Sequence, residues 1–212
     1  MKHLLTIACV AAAFALPQPI AAQDSGRFPP LRADQLSPAQ KKWADSIARP
    51  PRNANFAAFP YRAYVRSPAL AAHLTNLSDY VRWNTELPAR LTEFAILIAA
   101  RQWNSPWIWR GHYTLAVKGG LEEKVALDLA AGKRPEGMKD DEAALYDLAT
   151  QFYRDKSVSD AAYSAAVAKF GERGLLDLIG TMGYYGIVAM TLHTGRAIPP
   201  DDGTPQLKPL TP

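Results

Sequence analysis

The sequence predicts an all-α protein, and three observations carry this prediction. Apolar residues recur at helical spacing through most of the chain, for example at Leu70, Leu74, Leu77 and Val81. Serine followed directly by proline, a common helix start, occurs repeatedly ahead of such apolar runs. No run of alternating apolar and polar residues is long enough to indicate a β-strand.

The N-terminus has the pattern of a secretory signal peptide. Residues 1–22 combine a short basic start, an apolar centre and small residues before Gln23. The apolar centre is too short to span a membrane. We therefore expect cleavage after Ala22 and a periplasmic or secreted protein that begins with a flexible leader at residues 23–36.

The composition is typical of a globular protein and excludes several kinds of function. Of the 212 residues, 48% are hydrophobic, and the formal net charge is +4. The basic residues are dispersed, so we expect no nucleic-acid partner. The only cysteine, Cys9, lies within the signal. The mature chain therefore has no disulfide, thiolate nucleophile or cysteine-ligated metal.

A single helical domain is predicted over residues 37–198, beginning with a well-marked helix start. Ser37 is the expected N-cap, Pro38 occupies the first helical position and Gln40 completes a capping box. This short helix should end before Pro50, because the residue before a proline is biased away from helical geometry.

Proline and glycine positions divide the rest of the domain. Pro68, Pro88 and Pro106 each mark a helix start, and the glycine pair at 119–120 closes the helix that Pro106 opens. Further helices are predicted at residues 121–131, 140–153, 159–170 and 171–193. The proline-rich tail, residues 199–212, is expected to be loose or to wrap a neighbouring chain.

The last helix carries glycines three residues apart, at Gly180, Gly183 and Gly186, which would let another helix approach closely. This segment is also apolar enough to be compared with a membrane span. Asp177 and the tyrosine pair at 184–185 favour packing inside the protein instead. We therefore expect no stable membrane insertion.

Residues 93–121 concentrate the groups that could carry chemistry. Glu93 stands just ahead of an unbroken apolar run, residues 94–100, which should be buried. A carboxylate in such a place is costly unless it is paired or protonated. If the next helix folds back antiparallel, His112 lies about one helical turn out of register and can be the partner. Glu93 and His112 are the candidate catalytic pair, and a purely structural pair is the alternative.

Four further side chains are candidates for substrate binding. Arg101 could grip a substrate carboxylate or form an internal ion pair. Trp109 and Tyr113 could line a pocket or pack in the core. His193 could reach the pocket, although the helix dipole alone explains a cation at that helix end. No two histidines beyond the signal have close helical ligand spacing, so no metal is expected.

The order and spacing of short motifs resemble the carboxymuconolactone decarboxylase family, which includes the alkylhydroperoxidase D (AhpD)-like proteins. The motifs are, in chain order, LPAR at 87–90 ahead of Glu93, WxxH at 109–112, AxxGGL at 116–121, GYY at 183–185 and TLH at 191–193. The resemblance implies a helical bundle of that type, which assembles as a homotrimer or homohexamer. It also implies a small-molecule substrate and no cofactor.

The peroxidase branch of that family has a glutamate followed by two cysteines and a histidine, and the matching positions after Glu93 are Ser105, Ile108 and His112. Both cysteines are missing, so a dithiol peroxidase is excluded. The resemblance instead implies a cofactor-independent decarboxylase of a small carboxylated lactone or related ring-fission product, with His112 as general acid–base. A lactone hydrolase or isomerase and a non-catalytic binding or assembly protein are the alternatives.

Overall fold

The computed structural model describes residues 26–208, and every regular element in that range is helical. The α-helices are α1 (Pro38–Ile47), α2 (Tyr61–Tyr64), α3 (Pro68–Asp79), α4 (Ala89–Gln102), α5 (Pro106–Lys118), α6 (Glu123–Ala130), α7 (Asp140–Asp155) and α8 (Asp160–Gly195). A short 3-10 helix, Ala33–Gln35, precedes them, and a π-helical turn, Tyr80–Asn84, follows α3. The expected signal peptide and Cys9 lie outside the described residues.

The start of α1 confirms the predicted capping box. The backbone N–H of Gln40 donates to the Ser37 hydroxyl at 3.4 Å, and the Gln40 side chain accepts from the backbone N–H of Ser37 at 2.9 Å. Two backbone donors that the first turn leaves without partners are thereby satisfied. The helix ends at Ile47, before Pro50, as the sequence predicts.

Helix α4 is the centre of the bundle, and helices α5, α6, α7 and α8 all contact it. Its apolar run, residues 94–100, is completely buried, which confirms the prediction from its all-round hydrophobicity. A tight turn joins α4 to α5. Asn104 adopts a positive φ of 45° there, and the backbone N–H of Ser105 donates to the carbonyl of Ala100 at 2.8 Å. The chain therefore folds back, and α4 and α5 form a closely packed helical hairpin.

Helix α8 is divided by Gly171, whose φ of 66° and ψ of 172° are not helical. The two segments agree with the two helices that the sequence predicts there. Further along, Gly180 packs against the π-helical turn, where an added Cβ would lie 3.6 Å from Val81 Cγ1. A Cβ placed on Gly183 would touch nothing within 4 Å, and one placed on Gly186 would lie 3.3 Å from the Trp103 indole nitrogen.

The most apolar window of α8 meets the length and hydropathy criteria of a membrane span, with a mean hydropathy of 1.4. Of this window, 61% is buried inside the protein. Its acidic residue, Asp177, is buried too and accepts a hydrogen bond from the Tyr80 hydroxyl at 3.0 Å. Core helices of globular proteins meet the same criteria, so the absence of membrane insertion stays a prediction.

Both ends of the described chain lie against its own body. In the leader, Arg27 donates through Nη1 to the carbonyl of Thr194 at 3.0 Å. The tail is held in two places. The carbonyl of Pro205 accepts from the Trp109 indole at 2.8 Å, and the backbone N–H of Lys208 donates to the carbonyl of Ala130 at 3.0 Å. The tail as far as residue 208 therefore covers α5 and α6 of the same chain.

Candidate acid–base site

Glu93 and His112 meet across the hairpin of α4 and α5. Nδ1 of His112 lies 2.6 Å from Oε2 of Glu93, and each side chain is only 12% exposed. The expected contact is therefore confirmed. A carboxylate that accepts from Nδ1–H fixes the tautomer of a neutral imidazole and leaves Nε2 with a free lone pair. This is the arrangement that a general base requires.

The imidazole forms part of the wall of a small cavity of about 110 Å³ between α5, α8 and the π-helical turn. The wall consists of Arg52, Pro60, Tyr61, Ser78, Arg82, Trp107, Ile108, Gly111, His112, Tyr184, Tyr185 and Val188. Glu93 is not among these residues and holds the imidazole from behind. The pair is thus supported on one side and borders an open space on the other.

Two consecutive tyrosines of α8 form the wall next to the imidazole. The rings of His112 and Tyr185 meet edge to face, with centroids 4.9 Å apart, and those of Tyr184 and Tyr185 are 5.2 Å apart. Burial raises the pKa of Tyr185 well above its ordinary value, although the positive charge of Arg82 partly opposes this shift. The Tyr185 phenol is therefore neutral at physiological pH and can donate a hydrogen bond.

Two arginines contribute positive charge to the same cavity. Arg52 forms an ion pair with Asp79 and donates to the Tyr61 hydroxyl at 3.1 Å. Arg82 has no carboxylate partner among residues 26–208, and its buried Nε has no hydrogen-bond partner there. Both guanidinium groups lie against Trp83, at 5.2 Å and 4.6 Å from its ring centroid. The cavity therefore carries more positive charge than its own residues balance.

Arg101, expected near the pair, lies elsewhere. Its guanidinium is buried, and Nη1 donates to the carbonyls of Ala130 at 3.0 Å and Lys208 at 2.6 Å. Eight residues after Glu93 correspond to a rotation of roughly 80° about the helix axis, which turns Arg101 toward α6 and the tail. Arg101 does not line the cavity next to His112, and it forms no ion pair with any residue between 26 and 208. The residue joins the tail to the bundle.

The other three candidates for substrate binding are also absent from the cavity wall. Trp109 is buried beneath the tail, and its indole N–H is occupied by Pro205. Tyr113 donates its hydroxyl to Glu123 at 2.8 Å. His193 is exposed, and its Nε2 lies 2.7 Å from the carbonyl of Trp103. All three side chains have structural partners away from the Glu93–His112 pair.

Sequence reasoning missed Arg82 and Tyr185 as parts of the site. Tyr185 belongs to the GYY motif at 183–185, but nothing in the spacing of that motif indicates that the tyrosine faces His112. Arg82 follows Val81, the last residue in the apolar pattern of α3, so that pattern places the arginine on the outer side. The π-helical turn changes the register at this point, and no feature of a single sequence predicts such a turn.

Larger hollows, of about 280 to 600 Å³, lie elsewhere on the molecule, but none of these four has a histidine in its wall. One of about 490 Å³ is bordered by α7 and the start of α8, and its charged residues include Arg134, Asp147 and Arg154. Another, of about 600 Å³, lies between the start of α5 and the tail. Within residues 26–208, no group of three or more His, Cys, Asp or Glu side chains is arranged to hold a metal ion. The small cavity next to His112 is therefore the best candidate site.

Comparison with known proteins shows the fold. No family model matches the sequence, and no curated protein matches it. One similar crystal structure is that of a protein of unknown function from Agrobacterium tumefaciens, provisionally described as the antioxidant defence protein AhpD. The identity is 16% and the TM-score 0.59, and the match covers 66% of this chain and 97% of that chain. The fold is AhpD-like.

A second crystal structure agrees with this assignment. It is that of an uncharacterised peroxidase-related protein from Silicibacter sp. TM1040, with 13% identity and a TM-score of 0.63. The match covers 83% of this chain and 92% of that chain. The helical-bundle class predicted from the sequence is therefore confirmed. At such low sequence identities the similarity shows the fold only, and the chemistry depends on this chain's own residues.

Proposed function

We propose that the protein is a cofactor-independent acid–base enzyme, a decarboxylase that acts on a small carboxylated lactone or a related ring-fission product. One observation carries this proposal: Glu93 holds Nδ1 of His112 while the same imidazole borders a cavity. A histidine oriented by a carboxylate can take up and deliver a proton at neutral pH. A buried structural pair would have no need of an adjacent cavity.

The proposed reaction breaks the bond between a ring carbon and the carboxylate that leaves as CO₂. The electron pair of that bond passes into the neighbouring lactone carbonyl and forms an enolate. Protonated His112 then delivers its Nε2 proton to the ring carbon, while the negative charge of Glu93 stabilises the imidazolium before transfer. The neutral Tyr185 phenol can donate a hydrogen bond to the enolate oxygen.

The size of the cavity limits how much of the substrate it holds. A space of about 110 Å³ is smaller than the apolar cavity of about 150 Å³ that is known to bind benzene. We propose that only the reacting end of the substrate enters, with the remainder extending toward solvent. This favours compact ring-fission products over large or branched substrates.

Two of the alternatives use the same groups. A lactone hydrolase would use His112 to activate water, and an isomerase would use it to move a proton between ring carbons, so both share the acid–base pair. One similar structure is described as peroxidase-related, but a dithiol peroxidase is disfavoured here because positions 105 and 108 are serine and isoleucine. Measuring CO₂ release beside ring opening on carboxylated lactones separates decarboxylation from the other two reactions.

We also propose that the mature protein is periplasmic or secreted and self-associates as a trimer or hexamer. The outer side of α8 exposes Leu176, Ile179 and Met190 at helical spacing, with Gly183 between them. An exposed apolar stripe such as this one on α8 is a common site of contact between subunits. The open space above Gly183 would admit a helix of a second copy.

A further inference from the structure

We infer that Arg82 anchors the substrate through a carboxylate that the product retains. This inference rests on the proposed function, because it identifies the group that positions a carboxylated substrate against His112. The position was expected to be filled by Arg101, which the structure uses to hold the tail. Arg82 borders the same cavity as His112 and is free to take the role.

The state of its guanidinium group carries the argument. Among residues 26–208, no carboxylate pairs with Arg82, and its buried Nε has no hydrogen-bond partner. The residue as a whole is only half-buried, so its guanidinium is not sealed inside the protein, and the enclosed Nε donor costs stability while it has no partner. Such a cost is commonly retained where a ligand supplies the missing acceptor. A planar carboxylate is the acceptor that best matches the guanidinium fork.

None of the acids near the cavity forms an ion pair with Arg82 among the described residues. Asp79 pairs with Arg52 and Glu93 pairs with His112, while Asp177 accepts from Tyr80 through one oxygen only. Trp83 offers only its ring face, at 4.6 Å. The nearby Arg52 guanidinium also repels the positive charge of Arg82, which further favours binding of an anion at this place. An anionic ligand would relieve both effects.

Backbone geometry explains how the arginine reaches this place. The π-helical turn that carries residues 80–84 directs Val81 into the core while Arg82 borders the cavity. Single π-turns of this kind occur frequently at functional sites.

The anchored group is a carboxylate that the product keeps, because a cation bound to the departing carboxylate would stabilise the ground state and slow the loss of CO₂. A saturated lactone acid is therefore a suitable unreactive probe. We propose titrating the full-length mature protein with γ-carboxy-γ-butyrolactone and with its carboxamide by calorimetry. Wild type is expected to bind the carboxylate about tenfold to a hundredfold more tightly than the carboxamide, as a charged hydrogen bond predicts.

Substitutions at this position decide the inference. Arg82→Gln should abolish the preference for the carboxylate, and Arg82→Lys should retain part of it, because it keeps the charge and loses the fork. Arg154→Gln, which removes a positive charge from another hollow, should leave the preference unchanged. Equal affinity of wild type for both probes, or a preference that persists in Arg82→Gln, would overturn the inference. If Arg82→Gln does not fold, a full wild-type preference in Arg82→Lys overturns it.

A second variant, His112→Asn, separates a failure of the proposed function from a failure of the inference about Arg82. His112→Asn should retain the carboxylate preference while losing turnover, because it removes the acid–base group and leaves the anchor. If His112→Asn turned over at the wild-type rate, the proposed chemistry would be wrong while the binding data for Arg82 would still hold.

Discussion

Oε2 of Glu93 lies 2.6 Å from Nδ1 of His112, across two helices joined by a three-residue turn. The contact fixes which nitrogen of the imidazole is held and which is free. It also gives a buried carboxylate the partner that its position next to a fully apolar run demands. Both structural and catalytic roles need this contact, so the two are separated by experiments that keep the contact and remove the chemistry.

Replacing His112 with asparagine is the first such experiment. The asparagine side-chain NH₂ takes the place of Nδ1–H and can still donate to Glu93, but the amide cannot take up or deliver a proton in the reaction. Turnover of a carboxylated lactone should fall by about a hundredfold to ten-thousandfold. The melting temperature should change by only a few degrees. Loss of folding together with activity would instead support a structural pair.

Replacing Glu93 with glutamine tests the charge behind the imidazole. The glutamine carbonyl can still accept from Nδ1–H, but it no longer stabilises the imidazolium. Turnover should fall at least tenfold, and the double variant Glu93→Gln/His112→Asn should be no worse than His112→Asn alone, because the two residues act as one unit. If the two substitutions lowered turnover additively in steady-state kinetics, Glu93 and His112 would not act as one unit.

Gly111 offers a test of the cavity itself. The residue borders the cavity, and a Cβ added there would touch nothing within 4 Å. Gly111→Leu should fill much of the space and raise the KM for the substrate by at least tenfold. Gly111→Ala, the matched control, should have a much smaller effect on KM and stabilise α5 by about 0.5–1 kcal/mol. Equal KM values in the two variants would show that substrate does not enter here.

Arg90 provides a stability test away from the site. It pairs with Asp141 at 2.7 Å and with the fully buried Glu142. Arg90→Ala should cost about 3 kcal/mol, because it leaves a buried carboxylate without its partner. The exposed pair of Arg134 and Asp147 is the matched control, and Arg134→Ala should cost less than about 1 kcal/mol. Urea unfolding at neutral pH measures both.

The same ion pair predicts a pH dependence of stability. The hydrogen bond from Arg90 lowers the pKa of Asp141 below its ordinary value. Its contribution is therefore present above the unfolded pKa of about 3.9 and is lost as the pH falls through the lower folded pKa. The difference in unfolding free energy between wild type and Arg90→Ala should accordingly narrow below about pH 4. A difference that stays constant down to pH 2 or so would contradict this assignment.

The exposed stripe of α8 predicts the effect of a charge on assembly. Ile179→Asp places a carboxylate on the proposed subunit contact, where it would be costly to bury. The oligomer should dissociate, as measured by light scattering after size-exclusion chromatography. Leu127→Asp, on an exposed position of α6, is the control and should leave the mass unchanged. A wild-type monomer would contradict the proposal directly.

The main features of the fold could be predicted from the sequence because they depend on local signals. The capping box at Ser37, the prolines that open α1, α3 and α5 and the break at Gly171 are all set by residues within a few positions of one another. The contact of Glu93 with His112 was predictable for a similar reason. Two helices joined by a tight turn have few ways to pack, so positions near the turn are constrained.

The rest of the site depends on contacts between segments that are distant in sequence. Tyr185 reaches His112 because α8 packs beside α5, and Arg82 borders the same cavity because a π-helical turn follows α3. Arg101 and Trp109 were expected near the pair, but both bind tail carbonyls about a hundred residues further along the chain. Helical spacing predicts on which side of a helix a residue lies, but it does not predict which segment of the chain packs against that side.

Solvent deuterium incorporation tests the central claim most directly. Turnover of a carboxylated lactone in D₂O should place one deuterium on the carbon that loses CO₂, delivered from Nε2 of His112. In His112→Asn, CO₂ release and deuterium incorporation at that carbon should both slow by the same factor, about a hundredfold to ten-thousandfold. Equal rates of CO₂ release and deuterium incorporation in wild type and His112→Asn would contradict the account.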